Sequence, residues 1–203
     1  MAKRKQHVNQ QSGIALRRVN TRQVRQRFLI VCEGERTEPN YFRAFRVPSL
    51  VVMVEGVARQ ALQLVNKALE LREAGDYDQI WCVFDRDDVS QDQFNEAIAR
   101  AERLNMHVAY SNQAFELWYL LHFHYYNTGI TRGDYKQRLS DELSKKYEKN
   151  DETMYDTLLS RQSHALKHAH NLLAQYNPRR PGDDNPSTTV HLLVAALNEH
   201  SGA

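Results

Sequence analysis

The stretch RFLIVCEGERTEPNYF, residues 27–42, decides the fold. Its segment FLIVC is apolar at every position, with no alternation of polar and apolar side chains. A strand reads this way when both faces are covered, as in the middle of a parallel sheet. The strand runs from Arg27 to Gly34 and ends in acids, with Glu33, Glu35 and Glu38 crowded around Gly34. Gly34 is expected to permit a sharp turn. Glu38-Pro39 then reads as a helix entry. Pro39 takes the first helical position, where its missing N–H costs nothing. A short helix through Tyr41, Phe42 and Phe45 ends before Pro48.

The alternation continues outward from there. Leu50–Val54 reads as a second strand. Ala58–Ala74 is an amphipathic helix that Gly75 closes. Gln79–Phe84 (QIWCVF) is a third apolar strand and runs directly into DRDD. Ser90 and Gln93 form a capping box for a helix that buries Phe94, Ala97, Ile98, Ala101 and Leu104. His107–Tyr110 is a fourth strand. Residues 27–112 therefore predict an α/β core, a small parallel sheet of about four strands with flanking helices.

After Asn112 the pattern is helical, and residues 113–203 are expected to pack on the core as an extension. Ala114–His124 reads as a buried helix. Tyr135, Leu139, Leu143 and Tyr147 step by four along another, and Arg161–Tyr176 forms a third. NPRRPGDDNP, residues 177–186, is a loop by composition. Ser187 or Thr188 is expected to cap a last helix carrying Val190, Leu193, Val194 and Leu197.

The net charge of +2 hides an asymmetry. Residues 1–27 hold eight Lys or Arg and no acid, which leaves 19 basic against 25 acidic side chains beyond them. A basic arm over residues 1–26 on a mildly acidic body suits a polyanion such as nucleic acid. Arg17, Arg18, Arg22, Arg25 and Arg27 are its candidate phosphate contacts; a solubilising tail has the same composition. The arm has no aromatics, so it would grip phosphates without stacking on bases. No apolar run approaches the ~20 residues needed to span a bilayer. The basic N-terminus lacks the apolar segment of a secretory signal. Cys32 and Cys82 both lie in apolar strands and read as core residues, consistent with a cytoplasmic protein.

The chemistry is expected where the first and third strands end, because ligands of such sheets bind beyond the carboxyl ends of the strands. Glu33, Glu38, Asp85, Asp87 and Asp88 all fall there. Asp85 and Asp87 are two apart on an extended segment and point the same way. If the two strands are neighbours, four or five carboxylates converge and raise one another's pKa. A hard divalent cation with oxygen ligands, Mg²⁺ or Mn²⁺, would remove that conflict. Acids at strand ends and helix starts also have an ordinary explanation in the helix dipole. Glu116, among apolar neighbours, is a further candidate ligand or the partner of a buried ion pair. Lys167, Arg179 and Arg180 are candidate nucleic-acid contacts. Asn112 reads as a helix cap, and His122 is a further candidate for facing the site. His164 and His168 have zinc-helix spacing but lack the glutamate of a zincin.

Four segments, CEGERTEPNYF, FDRDD, SNQAFELWYLLHF and NPSTTVHLLVAAL, resemble the RloB-like family of restriction-linked and abortive-infection loci. A strand-final Glu-Gly with a later Asp-x-Asp also resembles the Toprim domain of topoisomerases, primases and OLD-family nucleases. The resemblance implies a Toprim-like, metal-dependent nuclease in antiphage defence. Glu33 would be general acid/base or metal ligand, and Asp85 and Asp87 metal ligands. Glu38 fits the OLD-like variant, in which a second acid follows the Glu-Gly. The family is often encoded beside an ATPase; this chain has no P-loop motif of its own.

Two rival functions share these residues. A DxD-type glycosyltransferase would use a metal on a nucleotide-sugar, but leaves CEGERTE and the basic arm unexplained. A non-catalytic binding or sensor subunit would only fold around the metal. The target, DNA or RNA, and the oligomeric state, a homo-oligomer included, stay open.

Overall fold

A computed structural model describes residues 25–47, 50–58, 60–87 and 89–200. Five strands form one sheet in the order β2-β1-β3-β4-β5. They are β1 (Gln26–Cys32), β2 (Leu50–Gly56), β3 (Gln79–Asp85), β4 (His107–Asn112) and β5 (Ser187–Thr188). The first four run parallel, and β5 is antiparallel to β4. The sheet is thus α/β as expected, with one strand more than the sequence suggested.

The apolar run of β1 is explained by its place between β2 and β3. Successive side chains point to opposite faces. Leu29 and Val31 enter a core with Leu64 and Val65 of α2 (Ala61–Glu73) and Phe94 and Ile98 of α3 (Gln91–Arg103). Phe28, Ile30 and Cys32 enter a second core on the other face. That core also contains Tyr41 and Phe42 of α1 (Thr37–Arg43) and Trp118 of α4 (Glu116–Leu120). Tyr135 of α5 (Arg132–Leu143), Leu158 of α6 (Met154–Leu159), Leu172 of α7 (Gln162–Ala174) and Leu193 of α8 (Val190–Glu199) complete it.

Several local expectations change. α1 begins at Thr37, so Pro39 is its third residue, still in the first turn, where no N–H is required. α2 begins at Ala61 because Gln60 before it is extended at ψ 155°, and Ala58, at φ 46°, is also outside the helical region. The segment expected as a helix over Ala114–His124 contains only the short α4, followed by turns. Tyr147 is buried but lies beyond α5, which stops where Ser144 turns left-handed at φ 52°. Its backbone N–H donates to Ser140 Oγ at 3.0 Å, which folds the chain back on the helix.

Ser187 and Thr188 form β5 instead of capping the last helix in the usual way. The Thr188 hydroxyl donates to the Tyr110 carbonyl at 2.9 Å and accepts from Val190 N–H at 3.2 Å. Thr189 also bonds the edge of β4, accepting from Tyr110 N–H and donating to the Val108 carbonyl. A cap-like Ser-Thr-Thr run is therefore used to close a sheet edge. Asn112 does not cap α4 either; its amide donates to the Pro181 carbonyl. Ser90 does cap α3, accepting from Gln93 N–H at 3.3 Å.

Candidate functional site

The decisive pairing is that of β1 with β3, in which Cys32 lies opposite Val83. Both strands end at the same rim, so Glu33 and Asp85 arrive together. Glu33 N–H donates to the Val83 carbonyl at 2.8 Å, which continues the ladder one residue past the strand. Asp85 N–H donates to Glu33 Oε2 at 3.1 Å. A third acid of this rim, Glu38, comes from the first turn of α1 and is buried.

Gly34 leaves room here for a neighbouring acid. No described glycine has a positive φ. A Cβ on Gly34 would collide with the Glu38 carboxylate, so the glycine lets that side chain cross the turn. Gly56, at the end of β2, has a similar role: a Cβ there would meet Gly34 O at 2.7 Å and Glu35 Cα at 2.8 Å.

Asp87 follows in a turn tied to the end of β4. Arg86 N–H donates to Ser111 O at 2.9 Å and Asp87 N–H to Gln113 O at 3.1 Å. Asp87 itself has φ 40°, a left-handed conformation that Asp tolerates better than most residues. Asp85 Oδ2 accepts from Phe115 N–H at 3.0 Å, linking the rim to the entry of α4. Glu116 is next along the chain. It pairs with Lys149 Nζ at 3.6 Å and accepts from the Tyr147 hydroxyl at 3.4 Å.

These residues line a pocket of about 310 Å³. Six carboxylates border it, those of Glu33, Glu35, Glu38, Asp85, Asp87 and Glu116, against three cations, Arg36, Arg132 and Lys149. Arg132 is ion-paired with Asp87. Burial pushes the Glu33 carboxyl up to about 7, and the charges of Glu38 and Asp87 add to this against the Asp85 amide bond. Burial and then the charges of Glu38 and Glu116 hold Asp85 well above the usual carboxylate range. Burial, with Glu116 adding repulsion, also raises Glu38. The pocket thus holds fewer cations than carboxylates.

A divalent cation fits that deficit, and the donors are hard oxygens suited to Mg²⁺ or Mn²⁺. The set is not drawn together, however: among the described residues no three acids, His or Cys stand in a ready coordination group.

The family model for RloB-like proteins matches residues 28–197. The chain belongs to the RloB-like family. No curated protein and no solved structure matches it. In this RloB-like chain the matched span runs from β1 into α8, so it includes both acidic corners and the helices behind them.

The expected residues divide clearly. Glu33, Glu38, Asp85, Asp87 and Glu116 share the pocket. Asp88 and the arm residues Arg17, Arg18 and Arg22 lie outside the described residues. Arg25 and Arg27 sit where β1 begins, at the opposite end of the sheet from the acids, and the Arg27 guanidinium lies 5.3 Å over the Tyr77 ring. Lys167 is exposed on α7 and does not line the pocket. Arg179 and Arg180 line a separate groove with Trp81, Ile98 and Tyr110. His122 is buried with Nδ1 against the Trp118 carbonyl, and burial lowers its pKa to about 4. It does not reach the pocket. His168 similarly places Nδ1 2.8 Å from the Leu121 carbonyl.

The sequence reading missed Arg132 and Lys149. Arg132 opens α5 directly after Thr131, whose capping box with Asp134 fixes the helix start. That T-x-x-D signal was available, but nothing in it says which rim the helix faces. Lys149 sits in an irregular segment, where Thr37 Oγ1 donates to its carbonyl at 2.9 Å.

Proposed function

We propose that this RloB-like chain is a divalent-metal-dependent phosphodiesterase that cleaves DNA or RNA, a cytoplasmic effector of antiphage defence. The observation carrying this reading is the hydrogen bond from the Asp85 amide to Glu33, which joins the Glu-Gly corner to the Asp-x-Asp corner. A metal-dependent glycosyltransferase would use the Asp-x-Asp corner alone and leaves that link without purpose.

Mg²⁺ or Mn²⁺ would offset the clustered carboxylates and polarise a phosphoryl oxygen. Asp85, Asp87 and Glu38 are the residues assigned to hold it, with Glu33 as ligand or proton carrier. Glu33 suits proton transfer near neutral pH because burial brings its carboxyl to about 7. Glu116 is oriented by Tyr147 and Lys149 and supports the set from behind. The basic arm would add phosphate contacts along the strand, and an ATPase encoded nearby would supply the trigger.

One observation favours a non-catalytic relative of this reading, a sensor that folds around metal: the described acids do not form a ready coordination group. Incubating the chain with DNA and RNA substrates in Mg²⁺, Mn²⁺ or EDTA decides between them. Cation-dependent cleavage supports the enzyme. Cation binding without cleavage, with and without the neighbouring ATPase, supports the sensor.

A further inference from the structure

Among the described residues, Arg132 is the pocket cation paired with an acid of the Asp-x-Asp corner. Its backbone is fixed by the capping box of Thr131 and Asp134 at the start of α5. The backbone of Asp87 is fixed independently by its N–H bond to Gln113 O at 3.1 Å. The ion pair therefore joins two backbone points that are anchored independently of it. Both are partly open to solvent, at 40% for Arg132 and 32% for Asp87. A half-exposed pair of this kind is weak and breaks readily. A planar guanidinium with several N–H donors also matches a phosphodiester as well as it matches a carboxylate.

We propose that Arg132 exchanges partners: it neutralises Asp87 in the empty pocket and binds a phosphodiester oxygen of the substrate once Asp87 turns to a divalent cation. This rests on the metal-dependent reading above. It makes Arg132 a substrate-binding residue and a competitor of the metal for Asp87. Losing it should therefore strengthen metal binding while weakening nucleic-acid binding, opposite effects that a merely structural ion pair would not produce.

The test uses the full chain. Mn²⁺ affinity is measured by calorimetry, and affinity for a short single-stranded DNA and an RNA of equal sequence by fluorescence anisotropy in Ca²⁺. Arg132→Gln should bind Mn²⁺ about fivefold more tightly and one or both oligonucleotides about tenfold more weakly. Arg132→Lys should recover part of the oligonucleotide affinity. Asp87→Asn provides the reverse check, with weaker Mn²⁺ binding and oligonucleotide affinity retained in the absence of cation. Mn²⁺ affinity unchanged or weakened in Arg132→Gln, or oligonucleotide affinity undiminished, overturns the exchange alone. Failure of the wild type to bind Mn²⁺ overturns the metal reading and the exchange with it.

Discussion

The Asp85 amide donates a hydrogen bond to Glu33 Oε2 across 3.1 Å, joining residues 52 positions apart at one edge of the sheet. The link is a consequence of strand order: β1 and β3 are neighbours, and each ends in an acid. Its cost is electrostatic. Glu33, Asp85 and Glu38 are all driven towards their protonated forms, first by burial and then by the charges of neighbouring carboxylates, Glu116 among them for Asp85 and Glu38.

That cost predicts a pH dependence. The Glu33 carboxyl moves from an ordinary 4.5 to about 7 on folding. Between those values the folded chain holds more protons than the unfolded chain, so this group favours folding below about 4.5 and loses that contribution as pH rises towards 7. In EDTA, Glu33→Gln should match the wild type near pH 4.5. It should then melt at progressively higher temperature relative to it, by about 2–6 °C above pH 7. Thermal melts of both proteins across that range check the sign; a difference that shrinks with rising pH contradicts it.

A cation should relieve the same repulsion. At a hundredfold excess over its Kd, a ligand of the folded state stabilises by about 2.7 kcal/mol. Mn²⁺ should therefore raise the wild-type Tm by about 5–10 °C at pH 8. The rise should be smaller at pH 5, where the acids are protonated, and smaller again in Asp85→Asn. Differential scanning fluorimetry measures all three.

The acidic corners were legible in the sequence because each directly follows a fully apolar strand. Their adjacency was not, because strand order in a parallel sheet depends on crossovers that periodicity does not encode. β5 was hidden for another reason. Two residues carry no alternation, and Thr188 and Thr189 have the composition of a helix cap while their hydroxyls bond the β4 edge. Tyr147 kept the four-residue step of α5 by coincidence, since the helix ends before it. Lys149 gave no local signal at all, because only the folding of an irregular segment brings it to Glu116.

Backbone crowding makes Gly56 a sensitive position. Gly56→Ala would place a Cβ 2.7 Å from Gly34 O and 2.8 Å from Glu35 Cα, so the acidic turn must shift. The expected loss is about 1–3 kcal/mol, together with weaker Mn²⁺ binding. Gly133→Ala is the control. It lies in α5, its nearest neighbour would be Thr131 Oγ1 at 3.7 Å, and Ala favours helix. Its stability should be unchanged or raised by up to about 1 kcal/mol. Denaturant unfolding of the two variants compares them directly.

The closure of the sheet by β5 can be tested in the same way. Thr188→Val removes the hydroxyl bound to the Tyr110 carbonyl and facing Ser111 Oγ at 3.1 Å. Leaving buried polar groups short of a partner should cost about 1–3 kcal/mol. Thermal denaturation should show a Tm lowered by about 2–4 °C for each kcal/mol.

The central claim is that Glu33 and Asp85 form one metal-dependent phosphodiesterase site. Its most direct test is cleavage of labelled DNA and RNA in Mg²⁺ or Mn²⁺ by the wild type, Glu33→Gln and Asp85→Asn, each checked for native circular dichroism and each assayed with and without the neighbouring ATPase. The account predicts wild-type cleavage that EDTA abolishes and that falls by at least about a hundredfold in both variants. Cleavage that survives EDTA, or that persists undiminished in both folded variants, would contradict it.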